Sequence, residues 1–102
     1  MEKLQEDGKV AVLYSPGFGA GWSTWNPTLP ELIFDPAIVK LVENDKWDEL
    51  ETYVTLKYPG IYDGGLRDLK VMWLPVGVEF QVNEYDGSES IEVKENVRWM
   101  VA

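Results

Sequence analysis

The stretch that decides the fold reads Leu69-Lys70-Val71-Met72-Trp73-Leu74-Pro75-Val76-Gly77-Val78-Glu79-Phe80-Gln81-Val82-Asn83-Glu84-Tyr85-Asp86-Gly87. Leu69, Val71 and Trp73 alternate with Lys70, Met72 and Leu74. Val78, Phe80 and Val82 alternate with Glu79, Gln81 and Asn83. A period of two is that of a strand with one buried face. Pro75-Val76-Gly77 makes a tight turn between the two runs, Pro pre-setting φ and Gly closing it. Asp86-Gly87 signals a hairpin, because a type I′ turn needs positive φ at both central residues. Ile91 and Val93 carry the returning strand, and Val97, Trp99 and Val101 carry a last one. The second half of the chain is therefore expected to be a meander of about four strands.

Upstream of this stretch the spacing changes. Asp35 can accept a bond from a free N–H of a first helical turn, and Pro36 suits the first helical position. Phe34 and Val39 match a hydrophobic staple. Ile38, Val39 and Val42 form one apolar face, and the helix is expected to end near Asn44. Asp45 is read as the cap of a second helix, with Asp48 near its positive end. Trp47, Leu50 and Val54 recur at helical spacing with Tyr53 beside them, and Tyr58-Pro59-Gly60 stops the helix. Tyr62-Asp63-Gly64-Gly65 reads as a loop. Farther upstream, Val10 to Tyr14 is a short apolar run of buried-strand type between Gly8 and Ser15-Pro16-Gly17. Segregated helices and strands argue an α+β fold: a mainly antiparallel sheet of about five strands, with two short helices on one face. The 102 residues make one domain, 1–102, with residues 1–8 expected to be a frayed N-terminus.

Composition narrows the chemistry. Nine Lys and Arg against eighteen Asp and Glu give a net charge of −9, and there is no Cys and no His. That excludes thiol nucleophiles, Ser–His–Asp triads, disulfides and metal centres built on thiolate or imidazole. The charge argues against direct contact with nucleic acid or with anionic membrane, since both would repel the chain. The N-terminal residues show no basic region followed by an apolar one, so no signal peptide is expected. Asp35, Asp63 and Asp86 are the carboxylates best suited to a general base, but no pair at a telling spacing emerges, and no enzyme activity is expected. The segment Asp86-Gly87-Ser88-Glu89 lacks the ladder of an EF-hand loop. No cofactor and no metal site are expected.

One absence singles out a region. Residues 10–30 hold no charged side chain, whereas a window of that length at 26% charged would hold about five. Three Gly and three Pro between residues 16 and 30 forbid a regular element across it. Such a loop suits a ligand site. Phe18, Trp22 and Trp25 offer rings to stack on, Ser23, Thr24 and Asn26 offer polar edges, and Gly19 and Gly21 allow close backbone approach. Arg67 is the preferred counter-charge for an anionic ligand, with Lys57 as a second cation. Tyr85 and Asp86 close the site if the hairpin folds toward the loop. The same window also suits a buried structural loop, its Trp packed in the core and its hydroxyls bonded to backbone. Gly17-Phe18-Gly19-Ala20-Gly21 is not a dinucleotide fingerprint, because the third Gly position falls on Trp22 and Pro27 blocks the helix. Two acidic groups, Glu43, Asp45, Asp48, Glu49 and Glu51 and then Glu84, Asp86, Glu89, Glu92 and Glu95, suit either a solvated face or an imitation of nucleic-acid charge.

The loop Gly17-Phe18-Gly19-Ala20-Gly21-Trp22-Ser23-Thr24-Trp25-Asn26, then Leu32-Ile33-Phe34-Asp35 and Phe80-Gln81-Val82-Asn83-Glu84-Tyr85-Asp86-Gly87-Ser88-Glu89-Ser90-Ile91, resembles a family of short uncharacterised proteins of tailed bacteriophages. The likeness runs from Val10 to Ala102. It implies a small accessory protein made in the cytoplasm of an infected bacterium, where such proteins often counter host defence. The sequence-level expectation is a counter-defence binding protein that sequesters a small nucleotide-like ligand in loop 15–30. The alternatives are an acidic inhibitor of a host nucleic-acid-handling enzyme and a phage structural or assembly protein. Five Trp in so short a chain also leave room for a homo-oligomer.

Overall fold

The computed structural model describes residues 1–94. Strand β1 (Gln5–Glu6), β2 (Lys9–Tyr14) and β3 (Lys70–Pro75) form one antiparallel sheet in the order β1-β2-β3. Strands β4 (Phe80–Tyr85) and β5 (Ser88–Val93) form a second, two-stranded sheet. Helices α1 (Pro36–Glu43) and α2 (Trp47–Lys57) lie between β2 and β3 in the chain. The fold is α+β, as the segregated pattern predicts, but the five antiparallel strands among the described residues divide between two sheets. The expected strand through Val97, Trp99 and Val101 lies outside the described residues.

The core follows from the apolar runs. Ala11 and Leu13 of β2 meet Ile38, Val39 and Val42 of α1 and Leu50 and Val54 of α2, all buried, with Trp22, Leu32, Leu66 and Leu69 closing the cluster. Val10, Val12 and Leu74 line a small cleft with Phe34, Val78 and Phe80. Strand β2 is thus covered twice, which is why its apolar run does not alternate. Phe34, expected to staple onto Val39, lies edge-on to Phe80 with ring centroids 6.2 Å apart.

Two turns differ from expectation. Asp45 does not cap α2; the cap position is Lys46, which makes no side-chain cap bond. Asp45 instead takes φ +54° just past α1. Its N–H donates to the Val42 carbonyl and the Lys46 N–H to the Leu41 carbonyl. That paired pattern closes a helix C-terminus with a left-handed residue, a conformation Asp tolerates better than most. At the N-terminus, Asp7 and Gly8 have φ of +50° and +74°, and they fold Gln5–Glu6 back onto β2. Residues 1–8, expected to fray, therefore include a paired strand. The signal was the same Asp-Gly pair as at Asp86-Gly87, where both φ values are again positive.

Candidate functional site

The uncharged loop is built around a charge brought from far along the chain. Glu89 of β5 is buried, with 1% of its surface exposed. Its Oε1 accepts from the Ser15 N–H at 2.9 Å. Its Oε2 accepts from the Trp22 N–H at 2.8 Å, the Thr24 N–H at 3.0 Å and the Thr24 hydroxyl at 2.6 Å. The Glu89 N–H donates back to the Ser15 carbonyl at 2.7 Å. A carboxylate held by several N–H groups keeps much of what it loses on leaving water. The absence of charge between residues 10 and 30 has a physical reading here: the loop's free N–H groups form a concave nest, and one distant carboxylate fills it.

Several further polar groups of the loop are held within the fold. The Ser15 hydroxyl lies 3.2 Å from both the Ala20 and Gly65 carbonyls. Trp22 is fully buried and its indole N–H donates to the Leu32 carbonyl at 2.8 Å. Asn26 donates to the Trp22 and Tyr62 carbonyls and accepts from the Tyr62 N–H, so it ties the loop to the segment after α2. Ser23 is buried, and Trp25 lies against Tyr62 with ring centroids 4.7 Å apart. At Gly21 a Cβ would sit 2.6 Å from Thr24 Oγ1. Among the described residues no buried polar side-chain atom lacks a partner. The Trp22 indole N–H, the Thr24 hydroxyl and the Asn26 amide thus bond within the fold, and Ser23 is buried.

The hairpin does fold toward the loop. The Gly19 N–H donates to the Asp86 carbonyl at 2.7 Å, and the Ser88 hydroxyl donates to the Pro16 carbonyl at 2.7 Å. Phe18 and Tyr85 flank this junction and are 79% and 76% exposed. The structure therefore brings the segments of Phe18-Gly19 and Tyr85-Asp86 together. Arg67 is not with them. It pairs with Asp48 at 3.0 Å and Glu51 at 2.8 Å on α2, so its charge answers the acidic helix and not the loop. Asp68, its neighbour, is the group beside the loop: a Cβ on Gly17 would lie 2.4 Å from its carboxylate.

A second buried carboxylate lies among the helices. Asp35 caps α1 through the Ala37 and Ile38 N–H groups. It also accepts from the hydroxyls of Tyr53 at 2.9 Å and Tyr58 at 2.5 Å and from Lys57 at 3.1 Å. Burial alone would raise its pKa, but Tyr58, Tyr53, Lys57 and the Ile38 N–H together hold it below the ordinary value. Burial and the bonded Asp35 push the Tyr58 hydroxyl up. Bonds to Tyr53 and Asp35 raise Lys57, which also lies 5.5 Å from the centroid of each tyrosine ring. Lys57 is therefore paired with Asp35, and it lines a cleft with Leu29 at the far end of the loop. A carboxylate ringed by donors and kept ionised is a poor proton acceptor, so Asp35 ties the start of α1 to the end of α2. Asp63 is exposed.

Among the described residues no His, Cys, Asp and Glu grouping suited to a metal occurs, and no helix is long and apolar enough to cross a membrane. No protein-family model, no curated protein and no solved structure matches this chain.

Proposed function

We propose that this chain is a non-enzymatic binding protein, a phage accessory factor acting inside the infected cell, that docks on a basic protein surface. The observation that carries this reading is the exposed aromatic pair, Phe18 and Tyr85, on two segments bonded to each other through Gly19 and Asp86. Exposed aromatic side chains supply large contact area at low conformational-entropy cost and are common anchors of protein interfaces. Asp68, Glu84 and Asp86 stand on the same segments or beside them, and the whole chain carries −9. Arg and Lys of a partner engage ring faces by cation–π contact and carboxylates by ion pairing. A groove that normally holds nucleic acid offers that combination, so the favoured partner is a host enzyme that handles nucleic acid.

Less favours the nucleotide-sequestering reading, since the Trp22 indole N–H, the Thr24 hydroxyl and the Asn26 amide are bonded within the fold. The lack of Cys and His, and the structural role of Asp35, support the non-enzymatic part of the reading.

Purified host nucleases, helicases and RNA polymerase, titrated against the protein by interferometry, test it. One of them is expected to bind with an affinity that falls steeply with salt. The Phe18→Ala/Tyr85→Ala variant, folded by circular dichroism, is expected to weaken that complex by about tenfold or more. A panel without a binder, together with a nucleotide that raises the melting temperature, would return the weight to a small ligand.

A further inference from the structure

The hairpin segment Asp86–Glu89 is held by the loop as a ligand is held by a receptor, one residue at a time. The Asp86 carbonyl accepts from the Gly19 N–H. Gly87, at φ +80°, leaves no room for a side chain: a Cβ there would lie 2.3 Å from the Ala20 nitrogen. The Ser88 hydroxyl donates to the Pro16 carbonyl. Glu89 pairs by its N–H with the Ser15 carbonyl and seats its carboxylate on three N–H groups and one hydroxyl. Main-chain pairing fixes the direction of the segment, and the nest reads the charge. Each position selects a residue type: Gly for space, a hydroxyl for a carbonyl, a carboxylate for the donors.

The segment is also detachable in principle. It belongs to a two-stranded sheet, and an isolated hairpin is marginal in water. Half of the residues of β4 and β5 are exposed, including Gln81, Asn83, Glu84 and Glu92. Pro75-Val76-Gly77 joins the hairpin to β3, with Gly77 at φ +85°.

We infer that loop 15–24 is a recognition site for an acidic peptide of the type Asp-Gly-Ser-Glu that turns at Asp-Gly and is extended at Ser-Glu, and that the chain's own Asp86–Glu89 is its resident ligand. The hairpin then acts as an internal competitor: a peptide from another chain enters only where the hairpin leaves. The donors that read the peptide are those of Ser15, Trp22 and Thr24, but a hairpin that leaves also breaks the Gly19–Asp86 bond and carries Tyr85 away from Phe18, so peptide entry and docking through the aromatic pair exclude each other.

The probe is a fluorescein-labelled peptide of residues 84–91, titrated by anisotropy into three full-length proteins: wild type, Glu89→Ala and Gly87→Ala/Glu89→Ala. The wild type is expected to bind weakly, because its own segment fills the site. The two variants are expected to bind saturably and at least about tenfold tighter, a difference of about 1.4 kcal/mol. A peptide carrying Glu89→Ala is expected to bind none of the three. Where a variant is unfolded alone, the peptide is expected to restore the native tryptophan fluorescence, since a ligand stabilises the state it binds. Folded variants that bind neither peptide, or both alike, overturn the inference. So does an unfolded variant that stays unfolded at millimolar peptide.

Discussion

Asp35 and Glu89 are both buried carboxylates in a strongly acidic chain, and they organise opposite kinds of structure. Asp35 works at short range. Two of its donors are the N–H groups two and three residues on, and its other partners lie on the neighbouring helix. Glu89 works at long range, and its donors stand 65 to 74 residues earlier in the chain. The first carboxylate strengthens helices that their own apolar spacing already favours. The second gives shape to a loop that has no regular structure to fall back on. Removing a buried acceptor should therefore cost more where the surroundings have no other source of order.

That contrast predicts a ranking. Glu89→Ala is expected to be the most damaging single change, because the Ser15, Trp22 and Thr24 N–H groups lose their acceptor together. An unsatisfied buried donor costs about 1–3 kcal/mol, so the loss should reach about 3 kcal/mol, read as a lowered urea midpoint. Asp35→Ala is expected to cost about 2 kcal/mol, from the lost cap and the tyrosine bonds. A larger loss for Asp35→Ala than for Glu89→Ala would break the comparison.

The pH dependence sharpens it. The folded Asp35 carboxyl lies below its ordinary value of 3.8, so the folded state releases its proton more readily than the unfolded one. Its stabilisation is complete above that value and is lost as pH falls through it toward the folded value. Between about pH 5 and pH 2 the wild type is expected to lose more stability than Asp35→Asn, measured by urea titration at each pH. Equal slopes would mean that Asp35 is not held as its partners imply. The smallest effect is expected at Arg67→Ala. That guanidinium is exposed and its partners Asp48 and Glu51 are exposed as well, so the denaturation midpoint should not move measurably.

How much was legible in the sequence follows the same division. Asp35-Pro36, Asp86-Gly87 and the alternation of Leu69 to Asn83 act on near neighbours, and the helix and strand positions they imply agree with the structure. Asp45 misled because an acidic residue between two helices suits the end of one as well as the start of the next. The Glu89 contacts were not legible as pairs, since no local pattern names Ser15 or Thr24 as a partner. A signal was nevertheless present. On β5, Glu89 keeps the same phase as Ile91 and Val93, which share the partly buried face with Phe80 and Val82 across the ladder. An acid in register with the apolar face of a strand, in a chain with a long uncharged loop, marks a charge that the fold intends to bury. Read only as one member of an acidic group, it looked like surface. Arg67 was assigned to the loop for its charge, but the acidic helix α2 offered it two carboxylates.

The wiring of Glu89 to Ser15 also sets an order of events during synthesis. Ser15 is made 74 residues before Glu89. At about 5–20 residues per second the loop waits roughly 4–15 s for the carboxylate that shapes it. Until then the Ser15, Trp22 and Thr24 N–H groups lack the acceptor that the folded chain gives them. The part of this protein that forms last is therefore among the parts made first.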